Sequence, residues 1–422
     1  MSIGIGGMIG GGIFAVLGLA ASVGEGGTYI AFLVAGIVAL LTSYSYVKLS
    51  VAIPSQGGTV DFITKGFPNR TIAGSLNTML WLAYIVTIAL YAFAFGSYGS
   101  AMFGDSSGLT HLLITASILS MMFLNVLSPA LIGKTETLIV ALKLTILVGF
   151  TAYALFFYDG TQLGNSAPAH WAPIGSIISG GMLIFIAYEG FELIANSAPN
   201  IDNPTRTLPR AYYLSLLITI VLYMAVAVVV VGLLSIGEII KAEDFALAEA
   251  ARVVWGSIGF NLIVIAALAS TASAINATLF GTSRLTVELA IDGEVPSVLE
   301  RKVAGRPILG LLLTGSVAIV IANVVPLTAI STTASAAFLT IFAFTNWSAT
   351  KMAHQIGARR SICASAAVGC LLALISLLVH AATEDIVSVY LFLGLLVCSY
   401  AGEATYQARR QAHARRANSP KR

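Results

Sequence analysis

The sequence predicts an all-α membrane protein with twelve transmembrane helices, and three observations carry that expectation. Its 422 residues are 57% apolar and only 10% charged, with a mean hydropathy of +0.90, too few charges to cover the surface of a water-soluble globule. Apolar runs of about 20 residues recur along nearly the whole chain, each long enough to cross a hydrocarbon core about 30 Å thick as a helix. The basic residues, finally, collect on one side. With both termini cytoplasmic, all but three of the 22 lysines and arginines face the cytoplasm; Lys241 and Arg252 lie outside and Lys143 lies within a span. Shifting one span scatters these charges over both faces.

Hydropathy and punctuation place the spans at 2–23, 28–48, 72–99, 111–131, 136–157 and 173–197, then at 210–235, 256–290, 307–325, 330–350, 361–381 and 386–406. The first lacks the basic leader and small-residue cleavage site of a signal peptide, and another apolar run follows at once, so it reads as a genuine span. The chain starts almost inside it, which makes residues upstream of Met1 an expectation. Between spans seven and eight, "SIGEIIKAEDFALAEAARVVWG" puts Ile239, Ile240, Phe245, Leu247 and Ala248 on one side of a short external helix, either a cap over an outward cavity or a surface helix. The last stretch, 407–422, is a basic cytoplasmic tail that reads as a disordered topology anchor rather than a lipid-binding element.

Several chemistries are disfavoured. Cys363, Cys370 and Cys398 lie in apolar segments without metal-type spacing and read as small buried hydrophobes. The five histidines are scattered, mostly at segment ends. They suggest interfacial positions, with no metal site and no nucleophilic triad. No catalytic residue, cofactor or nucleic-acid partner is expected.

The first span carries three consecutive glycines, Gly10, Gly11 and Gly12. Each costs about 1 kcal/mol relative to alanine inside a helix, so the helix is weakest where it crosses the membrane. Two explanations stand side by side. Gly6 and Gly10, like Gly7 and Gly11, have the four-residue spacing of close helix packing; alternatively, unwound backbone faces a wet cavity and binds something there. The sixth span favours binding, because in "GGMLIFIAYEGFELIANSAPN" Gly190 interrupts it between the acids Glu189 and Glu192. Interruptions in spans one and six of a ten-span core suggest two five-helix repeats of inverted topology. These would occupy 1–158 and 173–351, with two extra helices over 361–406. A half-helix starting near Ile13 aims free N–H groups and its positive dipole end into the cavity, which suits a carboxylate. Unwound carbonyls suit an ammonium or a metal cation, and an α-amino acid carries both charges close together.

Four motifs then resemble the amino acid, polyamine and organocation (APC) superfamily of secondary transporters, in particular its prokaryotic proton-coupled amino acid permeases of broad specificity. They are "GGMIGGGIF" in span one, "LSVAIPSQGGTVDFITKGFPN" between spans two and three, "IAYEGFELIANSAPNIDNPTRTLPRA" from span six, and "LFGTSRLTVELAIDGEVPSVLERK" from span eight. The resemblance implies the leucine-transporter type of 5+5 inverted repeat with broken helices one and six, in a prokaryotic inner (plasma) membrane. Carried onto matching positions, it implies that the N–H groups of Gly11, Gly12 and Ile13 hold the substrate carboxylate. The carbonyls of Met8, Ile9, Ile186 and Glu189 would receive the amino group. Ile186 falls where many relatives place an aromatic gate, with Phe185 just before it.

Lys143, in "GKTETLIVALKLTILVGF", is a lone cation inside an apolar span, which costs at least about 2.5 kcal/mol if central. Either it snorkels to the cytoplasmic interface or its ammonium faces the core. The second reading matches the fifth-span lysine of proton-coupled relatives, which stands where sodium sits in sodium-coupled ones and would release a proton during the cycle. The rival is sodium, with Ser270 and Thr271 as hydroxyl ligands; both also suit plain helix packing. Glu192 matches a family position linked to proton handling, or bridges hydroxyls structurally. Glu189 offers its carbonyl, or biases the pocket toward cationic side chains. Tyr84, Thr87 and Ile186 are candidates for the side-chain pocket. Asp202, Asn203, Pro204, Arg206, Pro209 and Arg210, with Arg284, Glu288 and Asp292, read as cytoplasmic gate or topology residues. The expectation is a secondary active amino acid transporter coupled to protons and surrounded by lipid. Its rivals are a sodium-coupled transporter or an exchanger of the same fold, and a non-transporting nutrient sensor.

Overall fold

In a bilayer the backbone must satisfy its own hydrogen bonds, and this chain does so with helices throughout. The computed structural model describes residues 1–104, 106–127, 130–157, 164–303 and 305–417, without the side chains of 2, 130–137 and 409–417. The expected repeat boundary at 158 and the last five tail residues lie outside the described residues.

In chain order the helices are α1 (Ser2–Met8), α2 (Gly12–Gly24), α3 (Thr28–Ala52), α4 (Thr59–Gly66), α5 (Arg70–Ala101), α6 (Ser107–Leu127), α7 (Ala130–Phe157) and α8 (Ile174–Leu183). There follow α9 (Pro204–Leu233), α10 (Ile236–Lys241), α11 (Ala246–Asp292), α12 (Ile308–Val324), α13 (Leu327–Lys351), α14 (Arg360–Glu384) and α15 (Ile386–Ala417). Local chemistry sets many of these ends. Asn69 caps α5 by accepting from the N–H groups of Thr71 and Ile72 at 2.9 and 3.3 Å. Ser235 and Glu238 form a capping box at α10. Pro204 opens α9 at its first turn, where no N–H is needed. Pro307 and Pro326 stand immediately before α12 and α13.

Among the described residues nine helices are long and apolar enough to cross a membrane, in α3, α5, α6, α7, α9, α11, α13, α14 and α15. A tenth arises if α8 and the segment Phe185–Asn200, bent by 53° at their junction, count as one span. This is fewer than the twelve expected, for two physical reasons. The first span is cut into α1 and α2, neither long enough alone, and α12 is short at 17 residues. The expected start of span eight at 256 matches a kink inside α11, where Trp255 and Gly256 leave helical geometry. α5 and α13 are buried over most of their membrane-length windows, whereas α6, α14 and α15 expose most of theirs.

The two breaks form differently. After α1, Ile9 turns out of the helix (φ −83°, ψ 28°), and helical bonding restarts only with Ala15 N–H to Gly11 O at 3.0 Å. After α8 the chain runs through a 3-10 turn, Phe185–Tyr188, and then Gly190, whose φ of +115° favours glycine. A second 3-10 stretch, Glu192–Asn200, carries the chain on. The breaks touch: a Cβ on Gly190 would lie 2.7 Å from the Gly7 carbonyl carbon. Close packing and interruption are therefore both present, the first at Gly7 and Gly190 and the second at residues 9–11.

Three expectations change. Cys398 is exposed on the outside of the bundle, while Cys363 and Cys370 are buried as expected; α15 is a peripheral helix whose faces largely look outward. In the external segment Ile239, Leu247 and Ala248 are buried but Ile240 is exposed, because Ile239 and Ile240 are neighbours within α10 and successive side chains of a helix point about 100° apart. The segment packs on α2, with a Cβ at Gly18 colliding with Glu243 backbone. The basic tail is helical as far as Ala417, continuing α15.

Candidate functional site

At the first break the helix start leaves donors without partners. α2 begins at Gly12, so the N–H groups of Gly11, Gly12, Ile13 and Phe14 have no helical acceptor, and among the described residues none accepts from them. The carbonyls before the break are held by side chains from two other helices. Tyr223 on α9 donates its hydroxyl to Met8 O at 2.5 Å and to Ala187 O at 3.2 Å, tying the two breaks together. Ser270 on α11 donates to Ile9 O at 3.1 Å and also to Gly10 O. Each carbonyl has two lone pairs, so Met8 and Ile9 keep capacity for a second donor. Thr271, the partner proposed with Ser270, donates to Ala267 O of its own helix at 2.7 Å.

Lys143 does not snorkel. It is buried, and Nζ donates to Gly6 O at 3.2 Å, close to the end of α1. An ammonium thus reaches the C-terminal, negative end of the first half-helix, where a cation is favoured.

Both acids of the sixth span are buried, and each is met by a tyrosine of α5. Tyr91 donates to Glu189 Oε2 at 2.9 Å and Tyr84 to Glu192 Oε1 at 3.1 Å. Tyr84 and Tyr91 are seven residues apart, about two turns, and so share one helix face. Glu192 Oε2 also accepts from Gly190 N at 2.8 Å, fixing the turn that bends the span. The two carboxyls lie within hydrogen-bonding reach of one another. Tyr91 is also the residue stacked against the first break, since a Cβ on Gly11 would run into its ring. At Gly12 the obstacle is backbone, with Ala187 Cα 2.8 Å from where a Cβ would stand.

A cavity of about 420 Å³ leads away from this region. Tyr84, Glu189 and Leu193 line it, as do Gln56, Arg284 and Glu288. Glu189 is 3% exposed and Arg284 is exposed, so the acid marks the deep end and the arginine the mouth. A second cavity of about 410 Å³ shares Gln56, Arg284 and Glu288 and continues past Lys302 and Arg306. Arg284 stacks over the Phe280 ring at 4.0 Å.

Of the residues expected from sequence, the structure brings together Met8, Ile9, Gly11, Gly12, Ile13, Glu189 and Glu192, with Lys143 and Ser270 bonded to the same backbone. Glu189 and Tyr84 line the cavity; the residues of the first break, Glu192, Lys143 and Ser270 lie outside its lining, as do three more. Phe185 packs edge-on to Phe342 at 6.0 Å, within a buried aromatic cluster. Ile186 is buried and its N–H is taken by Ser335 Oγ at 3.0 Å. Thr87 is buried, with its hydroxyl on Ala83 O. Tyr91 and Tyr223 are the two residues sequence reasoning missed. The spacing of Tyr84 and Tyr91 was a signal for the first; Tyr223 carried none. Among the described residues, no group of three or more His, Cys, Asp or Glu side chains is placed to hold a metal ion.

The family model described as amino acid permease matches residues 1–400. An uncharacterized protein of Methanocaldococcus jannaschii is 34% identical over 365 residues, covering 86% of this chain and 83% of that protein. Inner membrane transport protein YbaT of Escherichia coli is 32% identical over 361 residues, 85% of this chain and 83% of its own length. The branched-chain amino acid permease BcaP of Bacillus subtilis is 23% identical, over 71% of this chain and 67% of its own.

Proposed function

The chain belongs to the amino acid permease family of membrane transporters, and on that premise we propose that it carries an amino acid across a prokaryotic inner membrane in company with a proton. The observation that supports this best is the meeting of the two breaks at Gly7 and Gly190, with unpaired N–H groups on one side and a cavity ending at Glu189 on the other. The substrate carboxylate takes the N–H groups of Gly11, Gly12 and Ile13, where the α2 dipole adds to the hydrogen bonds. The amino group takes the remaining lone pairs of Met8, Ile9, Ile186 and Glu189 carbonyls. No covalent chemistry is needed, and the family is one of transporters rather than enzymes.

With α1 and α2 counted as one interrupted span, α8 with Phe185–Asn200 as another and α12 as a third, the count becomes twelve. Both termini then lie in the cytoplasm, and two inverted five-span repeats precede α14 and α15. The cavity mouth at Arg284 falls on the cytoplasmic side, so the conformation is the inward-facing one of an alternating-access cycle. Phe185 and Ile186 close the site from the opposite side, and Glu192 holds the bent span in register through Gly190.

Coupling falls to Lys143. Protonated, its ammonium binds Gly6 O and holds α1 against α7; deprotonated, it loses the charge that favours this contact and frees the half-helix to move. A competition screen of amino acids in proteoliposomes, with and without a pH gradient, tests the reading. Accumulation that follows the gradient supports it. Uptake that needs sodium and ignores the pH gradient favours the rival, and binding without any uptake makes the protein a sensor.

A further inference from the structure

Glu189 is the acidic side chain at the deep end of the cavity, and the transport reading gives that side chain no task. The position is demanding: the residue is 3% exposed, at the break, in a bundle built of apolar residues. The Tyr91 hydroxyl donates to it at 2.9 Å, the Glu192 carboxyl lies within hydrogen-bonding reach, and Tyr84 donates to Glu192 in turn. None of these is a cation. The basic side chain lining the same cavity is Arg284, at its mouth and stacked on Phe280. Lys143, for its part, reaches Gly6 O.

A buried carboxylate without a counter-charge is strongly disfavoured; two adjacent carboxyls avoid it by sharing a proton, and a cationic ligand group that displaces this proton pairs with the charge left behind. Backbone carbonyls at the break already serve an α-amino group, so a second anionic acceptor beside them suits a second positive centre on the same molecule. We infer that Glu189 selects amino acids with a cationic side chain, its carboxylate pairing with the side-chain ammonium or guanidinium while the α-carboxylate sits on the start of α2. This rests on the transport reading above and deepens it. Tyr91 is then a positioning residue: its hydroxyl fixes Glu189 Oε2 and its ring lies against Gly11, holding both recognition points in one frame.

The test is a pair of ligands of similar length that differ in charge, lysine and norleucine, measured by ligand-induced thermal shift and by competition on the purified full-length protein. The native protein is expected to prefer lysine by at least about tenfold. Glu189→Gln should bring the ratio close to one, Glu189→Asp should keep part of the preference, and Tyr91→Phe should weaken both ligands while keeping lysine ahead. Norleucine binding as well as or better than lysine in the native protein overturns the inference without any variant, so a poorly folding Glu189→Gln does not shield it. An unchanged ratio in a well-folded Glu189→Gln overturns it too. If instead no amino acid binds the native protein, it is the transport reading that fails.

Discussion

At Gly11 a side chain is absent because the Tyr91 ring stands where it would be, and this separates two glycines that look alike in sequence. Gly11→Ala should displace the buried Tyr91 ring and its bond to Glu189, cutting substrate affinity about tenfold, with a smaller fall in the melting temperature in detergent than alanine at Gly12. Gly12→Ala meets the Ala187 backbone, which cannot swing, and should lower the melting temperature as well as the affinity. A Gly11→Ala protein that binds normally would return this glycine to a packing role. Lys143 supplies the other prediction at this scale. Lys143→Ala removes the ammonium at Gly6 O and should cut proton-driven accumulation at least about tenfold, while retaining exchange of substrate across the membrane without a gradient. Gradient-driven uptake in that variant would place the coupling proton elsewhere.

The broken elements depend on contacts far apart in sequence. Gly190 combines φ +115° with a Cβ position 2.7 Å from Gly7, so Gly190→Ala should cost on the order of 1–3 kcal/mol and lower the melting temperature clearly more than alanine at open Gly281, where no atom lies within 4 Å. Tyr223→Phe removes the hydroxyl shared by Met8 O and Ala187 O. The loss should be roughly 1–3 kcal/mol, since buried carbonyls are left short of a donor, and melting curves of the two proteins compare it directly. The break in the first span was legible because glycine weakens a helix by a local, additive effect, as at Gly10–Gly12. The bend in the sixth was legible from Gly190 and its acidic neighbours. Tyr223 was not, because a tyrosine on an apolar helix face looks the same whether it meets lipid or another helix's carbonyl.

For the molecule as a whole, the pH response includes a group beyond the membrane spans. Glu294, just past α11, accepts from Asn77 Nδ2 at 3.0 Å and lies near Glu403 of α15, whose Oε1 receives Gln407 at 2.7 Å. Burial, chiefly, pushes the Glu294 carboxyl up to about 7, with the Asn77 bond acting against it. An acid whose folded value lies above its unfolded value near 4.5 binds its proton more tightly when folded, so its effect on stability declines as pH rises from about 4.5 to 7. The shift corresponds to roughly 3 kcal/mol at most. Glu294→Gln should therefore flatten the fall in melting temperature over that window and raise it at about pH 8; an unchanged pH profile would show that the carboxyl is hydrated. By itself the sequence determined the membrane setting, the helical class and the place of both interruptions. Those follow from hydropathy, charge and glycine content, which act locally and can be read along the chain. Only the tertiary structure decided that the interruptions touch through Gly7 and Gly190, that Lys143 reaches Gly6 rather than the interface, and that Tyr91 and Tyr84 each meet one of the acids. Those outcomes depend on how helices far apart in sequence rotate and tilt to fill one another's grooves, and an apolar stretch facing apolar neighbours carries no local mark of which partner it will meet.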